Sequence, residues 1–139
     1  MPLIDRLIAL ADRISPPEPV HAHCDLPCGV YDPAQARIEA ESVKAIQQKY
    51  QDSSDPVFKG RCIHIKEERA DLVKHHLWVL WTDYFKPEHL AKYPDLHDAF
   101  WMATKEAGAA KKSQDPAQGE KLLGLIADID KIFWETKAG

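Results

Sequence analysis

Apolar residues recur at steps of three and four along most of the chain, the spacing of amphipathic helices. The first such stretch is Leu3, Ile4, Leu7, Ile8, Ala11 and Ile14, with Asp5, Arg6, Asp12 and Arg13 between them. It predicts a short leader helix. Ser15-Pro16-Pro17-Glu18-Pro19 follows as a stiff, extended linker. A helix is predicted from Pro33 to about Lys49, with Asp32 suited to cap it and Pro33 to its first turn. Residues 51–56, Gln-Asp-Ser-Ser-Asp-Pro, read as a turn. A longer helix from about Arg61 to Tyr84 carries the seam Val73, Leu77, Leu80 and Tyr84, and Lys86-Pro87 ends it. A loop holding a short turn of helix leads to Tyr93-Pro94. The third helix, from about Asp95 to Lys111, has the stripe Leu96, Phe100, Ala103, Ala107 and Ala110, narrow enough for close packing. Ser113-Gln114-Asp115-Pro116 recaps the chain, and a fourth helix carries Leu122, Leu125, Ile126, Ile129, Ile132 and Phe133. No stretch alternates with period two for long enough to make a strand. The fold expected is all-α, an antiparallel up-down four-helix bundle over 33–139.

Composition narrows the class. The chain has 139 residues, 45% of them hydrophobic and 29% charged, enough for one core. No apolar run approaches the ~20 residues needed to cross a bilayer. The net charge of -4 comes from intermixed acids and bases, with no basic block for nucleic acid or an anionic membrane. Charges interrupt the first twenty residues, so they do not read as a secretory signal, and a cytoplasmic location is expected. Three cysteines are too few for a disulfide scaffold. Cys62 reads as a small core residue, and His64, His89 and His97 as surface or capping residues.

The chemistry concentrates in residues 23–31, His-Cys-Asp-Leu-Pro-Cys-Gly-Val-Tyr. Two thiols with three residues between them, and an imidazole beside the first, form a set of soft donors. Pro27 fixes one dihedral and Gly29 frees another, so the loop can turn both sulfurs toward one metal. Structural zinc takes four side-chain ligands, and only three are present here. Backbone nitrogen can complete such a site in a square plane, which suits Ni(II) or Cu(II).

The run His-Cys-Asp-Leu-Pro-Cys-Gly-Val-Tyr-Asp-Pro resembles the metal hook of the nickel superoxide dismutase family. The likeness extends through Glu39, Lys-Glu-Glu-Arg at 66–69, Lys-His-His at 74–76, Leu-Trp-Thr-Asp-Tyr-Phe-Lys-Pro at 80–87 and the ending at 129–137. It covers residues 23–139 and leaves the leader, 1–22, outside any fixed pattern.

The resemblance implies a propeptide at 1–22, a hook at 23–32 and one nickel ion per subunit, cycling between Ni(II) and Ni(III) as it dismutates superoxide. A maturation peptidase would cleave before His23 and free its α-amine. That amine, the Cys24 amide nitrogen and the thiolates of Cys24 and Cys28 would surround the metal, with the His23 imidazole as axial ligand. Asp25 would shape the loop, and the Leu26–Pro27 bond would be cis. Glu39 would accept a hydrogen bond from the His23 ring, and Arg69 would hold Glu39. Tyr31 and Tyr84 would limit access to small anions and order water. Lys86 and Lys111 would attract superoxide. The subunits would assemble as a homohexamer. Removing residues 1–22 changes the net charge to -3.

Plainer readings stand beside these. Glu39–Arg69 also reads as an ordinary interhelical ion pair, Tyr84 as core, and the two lysines as solvated. The same hook would also suit a nickel or copper carrier without turnover. A helical interaction protein with a redox-sensitive Cys24–Cys28 loop is the third alternative.

Overall fold

The computed structural model describes residues 29–139. Its elements are α1 (Ala34–Asp52), α2 (Pro56–Val79), a π-helical turn (Leu80–Tyr84), α3 (Pro87–Lys92), α4 (Leu96–Lys112) and α5 (Pro116–Ala138). The four long helices form the expected up-down bundle. Each packs on two neighbours, in the cyclic order α1, α2, α4, α5. The leader and the hook as far as Cys28 lie outside the described residues. Among the described residues no helix is long and apolar enough to cross a membrane.

Three Asp-Pro dipeptides start three of the long helices. The Asp32, Asp55 and Asp115 carboxylates accept the amide hydrogens of Ala34, Val57 and Ala117 at 2.8, 3.0 and 2.9 Å. Each amide would otherwise be an orphan of the first turn. Ser53 and Ser113 accept in turn from the amides of Asp55 and Asp115 at 3.1 and 3.0 Å. The second long helix therefore begins at Pro56, earlier than the Arg61 expected from periodicity.

The core holds the predicted stripes. Val73, Leu77, Leu80, Leu96, Phe100, Ala103, Ala107, Ala110, Leu122, Ile126, Ile129 and Phe133 are buried, and Leu125 and Ile132 pack against them. Cys62 is buried with a free thiol. Tyr84 departs from the predicted seam. The Phe85 amide bonds the Leu80 carbonyl at 3.1 Å, five residues back, so the last turn holds one residue more than an α-helical turn. Phe85 takes the core position, and Tyr84 rotates out to half-burial.

The end of α4 is fixed by a lysine with no solvent exposure. Lys66 donates to the carbonyls of Ala110, Lys111 and Ser113 at 3.3, 2.8 and 2.5 Å. Burial lowers its pKa, opposed by the Glu67 carboxylate. The Gln47 amide reaches the Ala110 and Ser113 carbonyls from α1 at 3.3 and 3.1 Å. Cations and amide donors suit a helix C-terminus, where carbonyls lack partners.

Candidate metal centre

Gly29 is where the hook joins the bundle. Its φ of +67° is a left-handed conformation that favours glycine, as the expected turn requires. Lys137, in the last turn of α5, donates its ammonium to the Gly29 carbonyl at 3.3 Å. Two residues on, the Tyr31 ring packs on Tyr84 with centroids 5.7 Å apart.

Tyr84 is held from three sides. Its ring lies 4.4 Å from Phe133 and 5.7 Å from His89, centroid to centroid. Its hydroxyl meets the Thr136 hydroxyl at 2.7 Å. The Lys137 ammonium stands 5.2 Å above its centroid. His89 acts as a cap as well as a wall, because its Nδ1 accepts the Lys86 amide hydrogen at 3.2 Å where α3 begins. Of the two readings expected for it, surface or capping, the capping one holds.

Tyr31, Tyr84, His89, Thr136 and Lys137 line a cavity of about 430 Å³ with Gly29, Asp83 and Lys86. Two ammonium groups, of Lys86 and Lys137, face one carboxylate, Asp83, so the local charge is positive on a chain of net charge -4. Gly29, the residue after Cys28 in the sequence, thus lines a concavity walled by aromatic rings and biased toward anions.

Glu39 and Arg69 meet between α1 and α2, with Arg69 Nη1 3.4 and 3.2 Å from the two Glu39 oxygens. The Glu39 side chain is only 16% exposed, so the pair is partly shielded from water. Lys111 does not join this cluster within the protomer. It follows Ala110, whose carbonyl is bonded to Gln47, thirteen residues along α1 from Ala34 and therefore ~20 Å up that helix. Its ammonium grips Asp71 at 3.0 and 2.8 Å, and that hydrogen bond raises its pKa.

His23, Cys24, Asp25, Cys28 and the Leu26–Pro27 bond lie outside the described residues. Among the described residues no three His, Cys, Asp or Glu side chains gather so as to hold a metal ion. The hook, with two thiols and an imidazole in six residues, supplies donors that fit nickel. Sequence reasoning missed Lys137, Thr136 and the stacking of His89. Lys137 and Thr136 lie inside the resembling stretch 129–137, which was their only signal.

Comparison with known proteins agrees with this arrangement. The family model described as nickel-containing superoxide dismutase matches residues 18–137. The chain is 61% identical over 128 residues to "Superoxide dismutase [Ni]" of Streptomyces coelicolor, covering 92% of this chain and 98% of that one. It is 62% identical, with the same coverage, to the protein of that name from Streptomyces seoulensis. A crystal structure of Ni-containing superoxide dismutase with Ni-ligation corresponding to the oxidized state superposes with a TM-score of 0.83 at 64% identity, covering 84% of this chain and 100% of that one. An apo structure of nickel superoxide dismutase matches with a TM-score of 0.79 at 61% identity, covering 80% of this chain and all of that one. The chain belongs to the nickel-containing superoxide dismutase family.

Proposed function

We propose that the chain, cleaved before His23, converts superoxide to oxygen and hydrogen peroxide with one nickel ion per subunit. The single observation that carries the reading is that Gly29, which directly follows the soft-donor run 23–28 in the sequence, lines the anion-biased cavity with Tyr31, Tyr84 and Lys137. The freed His23 amine, the Cys24 amide nitrogen and the Cys24 and Cys28 thiolates would hold the metal, with the His23 imidazole beside it. Bound there, nickel would supply a one-electron couple that anionic sulfur and amide nitrogen bring within reach.

The chain's own residues do the rest. Lys86 and Lys137 draw the anion toward the hook. The Tyr31 and Tyr84 rings narrow the approach, and the Tyr31 hydroxyl orders water that delivers protons to the product. Asp25 shapes the loop. Glu39, held by Arg69, accepts the His23 ring N–H and fixes the ring's orientation. Lys111, paired with Asp71 farther up the bundle, contributes to the long-range field.

Cleavage before His23 is supported by length. The crystal chain covered in full spans 84% of the 139 residues, about 117, and residues 23–139 number 117. Cleavage is also chemically necessary. A terminal amine can lose a proton to a metal near neutral pH, whereas the nitrogen of an intact peptide bond is a different ligand. A maturation peptidase, assembly as a homohexamer and a cytoplasmic location complete the proposal.

Mass spectrometry of active protein should find its N-terminus at His23, and the oxidised protein should give a rhombic Ni(III) paramagnetic signal. Sedimentation should give six subunits. Full activity in chains that begin at Met1 would overturn the cleavage step. Tight nickel binding without turnover would favour a metal carrier.

A further inference from the structure

A second concavity, of about 580 Å³, opens between the end of α2 and the start of α4. Trp78 and Trp101 line it with 51% and 63% of their surfaces exposed. Trp81 and Phe100 also line it, their ring centroids 5.0 Å apart, and His97 meets Trp81 edge-on at 4.3 Å. An open aromatic groove of this kind marks a contact surface.

We propose that in the uncut chain this groove takes the apolar stripe of the leader, Leu3, Ile4, Leu7, Ile8, Ala11 and Ile14. Release of the groove on maturation rests on the cleavage before His23 proposed above; docking itself does not. Three observations choose the leader over a second copy of the chain. The first is reach. Trp81 shares the π-helical turn with Tyr84, whose ring packs on Tyr31, two residues from the start of the described chain. Residues 15–28 link the stripe to that point and can extend ~46 Å. The second is need. A helix of twelve residues, from Leu3 to Ile14, is marginal alone in water, so it requires a surface to bury its apolar face. A short tether also gives the leader a local concentration of about millimolar, above that of a second copy in dilute solution.

The third is charge. Asp5-Arg6 and Asp12-Arg13 recur seven residues apart and leave residues 1–14 neutral. The groove carries Asp98, and Lys105 lies over the Trp101 ring at 5.7 Å from its centroid. Acid and base on the leader thus meet both signs at the groove.

The tryptophans supply the test. All four lie in the bundle, at 78, 81, 101 and 134, and three of them line the groove. Acrylamide quenching is compared between the uncut, nickel-free full chain and the same chain carrying Leu7→Asp and Ile8→Asp, at low micromolar concentration with sedimentation alongside. The variant is expected to quench about twofold more readily, with red-shifted emission and a far-ultraviolet dichroism that keeps the bundle's helical signal and loses no more than the leader's own share, as covered indoles become open. Trp101→Phe should remove much of that difference. Equal quenching in the two chains would overturn the proposal. So would protection that rises with chain concentration in both, which puts a second copy in the groove. Neither cleavage nor metal enters the measurement, so its failure leaves the dismutase reading untouched, and an inactive mature enzyme leaves the docking result standing.

Discussion

The hydroxyl of Thr136 has one proton, and it goes to the Phe133 carbonyl at 2.6 Å. The 2.7 Å contact with Tyr84 therefore has the phenol as donor, which fixes the direction of the Tyr84 hydroxyl. Lys137 acts on the same ring and also on the Gly29 carbonyl, so one side chain ties the hook's exit to the cavity wall. Lys137→Met keeps most of the stem's packing and deletes the charge. In mature, nickel-loaded protein it is expected to lower kcat/KM up to ~10-fold and to flatten its dependence on ionic strength, because electrostatic steering is screened by salt. Lys111→Met is expected to flatten that dependence less than Lys137→Met does, since its ammonium is engaged with Asp71 well away from the cavity. Pulse radiolysis across a salt series measures both. The hook's donors were legible in the sequence because they lie within six residues of each other. Lys137 was not, because its role depends on a contact across 108 positions of sequence.

The helices differ in what made them readable. Asp55-Pro56 carries the same start signal as Asp32-Pro33, yet periodicity placed that helix near Arg61. The reason is that its first turns bury no apolar side chain: Val57 is 73% exposed and Phe58 39%. A helix that overhangs its bundle has a cap but no stripe. The π-helical turn was hidden for the opposite reason, since the four-and-three seam ending at Tyr84 suits an unbroken α-helix equally well. Only the extra residue that sends Phe85 inward makes Tyr84 a wall of the cavity. Close packing between α1 and α5 depends on Gly119. A Cβ there would lie 2.6 Å from Gln47 Oε1 and 2.7 and 2.8 Å from Lys44 Cβ and Cα. Because a backbone atom is among them, Gly119→Ala has to move a helix, and a loss of about 1–3 kcal/mol is expected in denaturant unfolding. The α2–α4 contact through Asp71 and Lys111 has a pH signature. The pKa of Lys111 is raised in the fold, so its stabilising effect is complete below 10.5 and is lost as pH rises through the higher folded value. The Tm difference between the native chain and Asp71→Asn should therefore shrink in alkali, and a difference that grew there would contradict the assigned pair.

At the scale of the molecule, the cavity is assembled where three distant segments meet: the hook's exit at 29–31, the π-helical turn with α3, and the last turn of α5. The rest of the bundle exists largely to hold these ends together. Its apolar core closes at Phe133, which has no solvent exposure, while Thr136 and Lys137 lie beyond it. Stability and activity should thus separate at the C-terminus. A chain ending at Glu135 loses the Thr136 hydroxyl's bonds to Tyr84 and to the Phe133 carbonyl, and the Lys137 ammonium's contacts with the Gly29 carbonyl and the Tyr84 ring, partly exposed interactions worth about 1–2 kcal/mol together. Its Tm is expected to fall by only about 3–8 °C. Activity should fall further than in Lys137→Met, because two of the contacts that hold Tyr84 go at once. Since the two act on one side chain, their effects should not add, and a cycle with Thr136→Ala and Lys137→Met should show a coupling of about 0.5 kcal/mol or more in transition-state stabilisation. Strict additivity would mean that the last turn serves the fold and not the cavity.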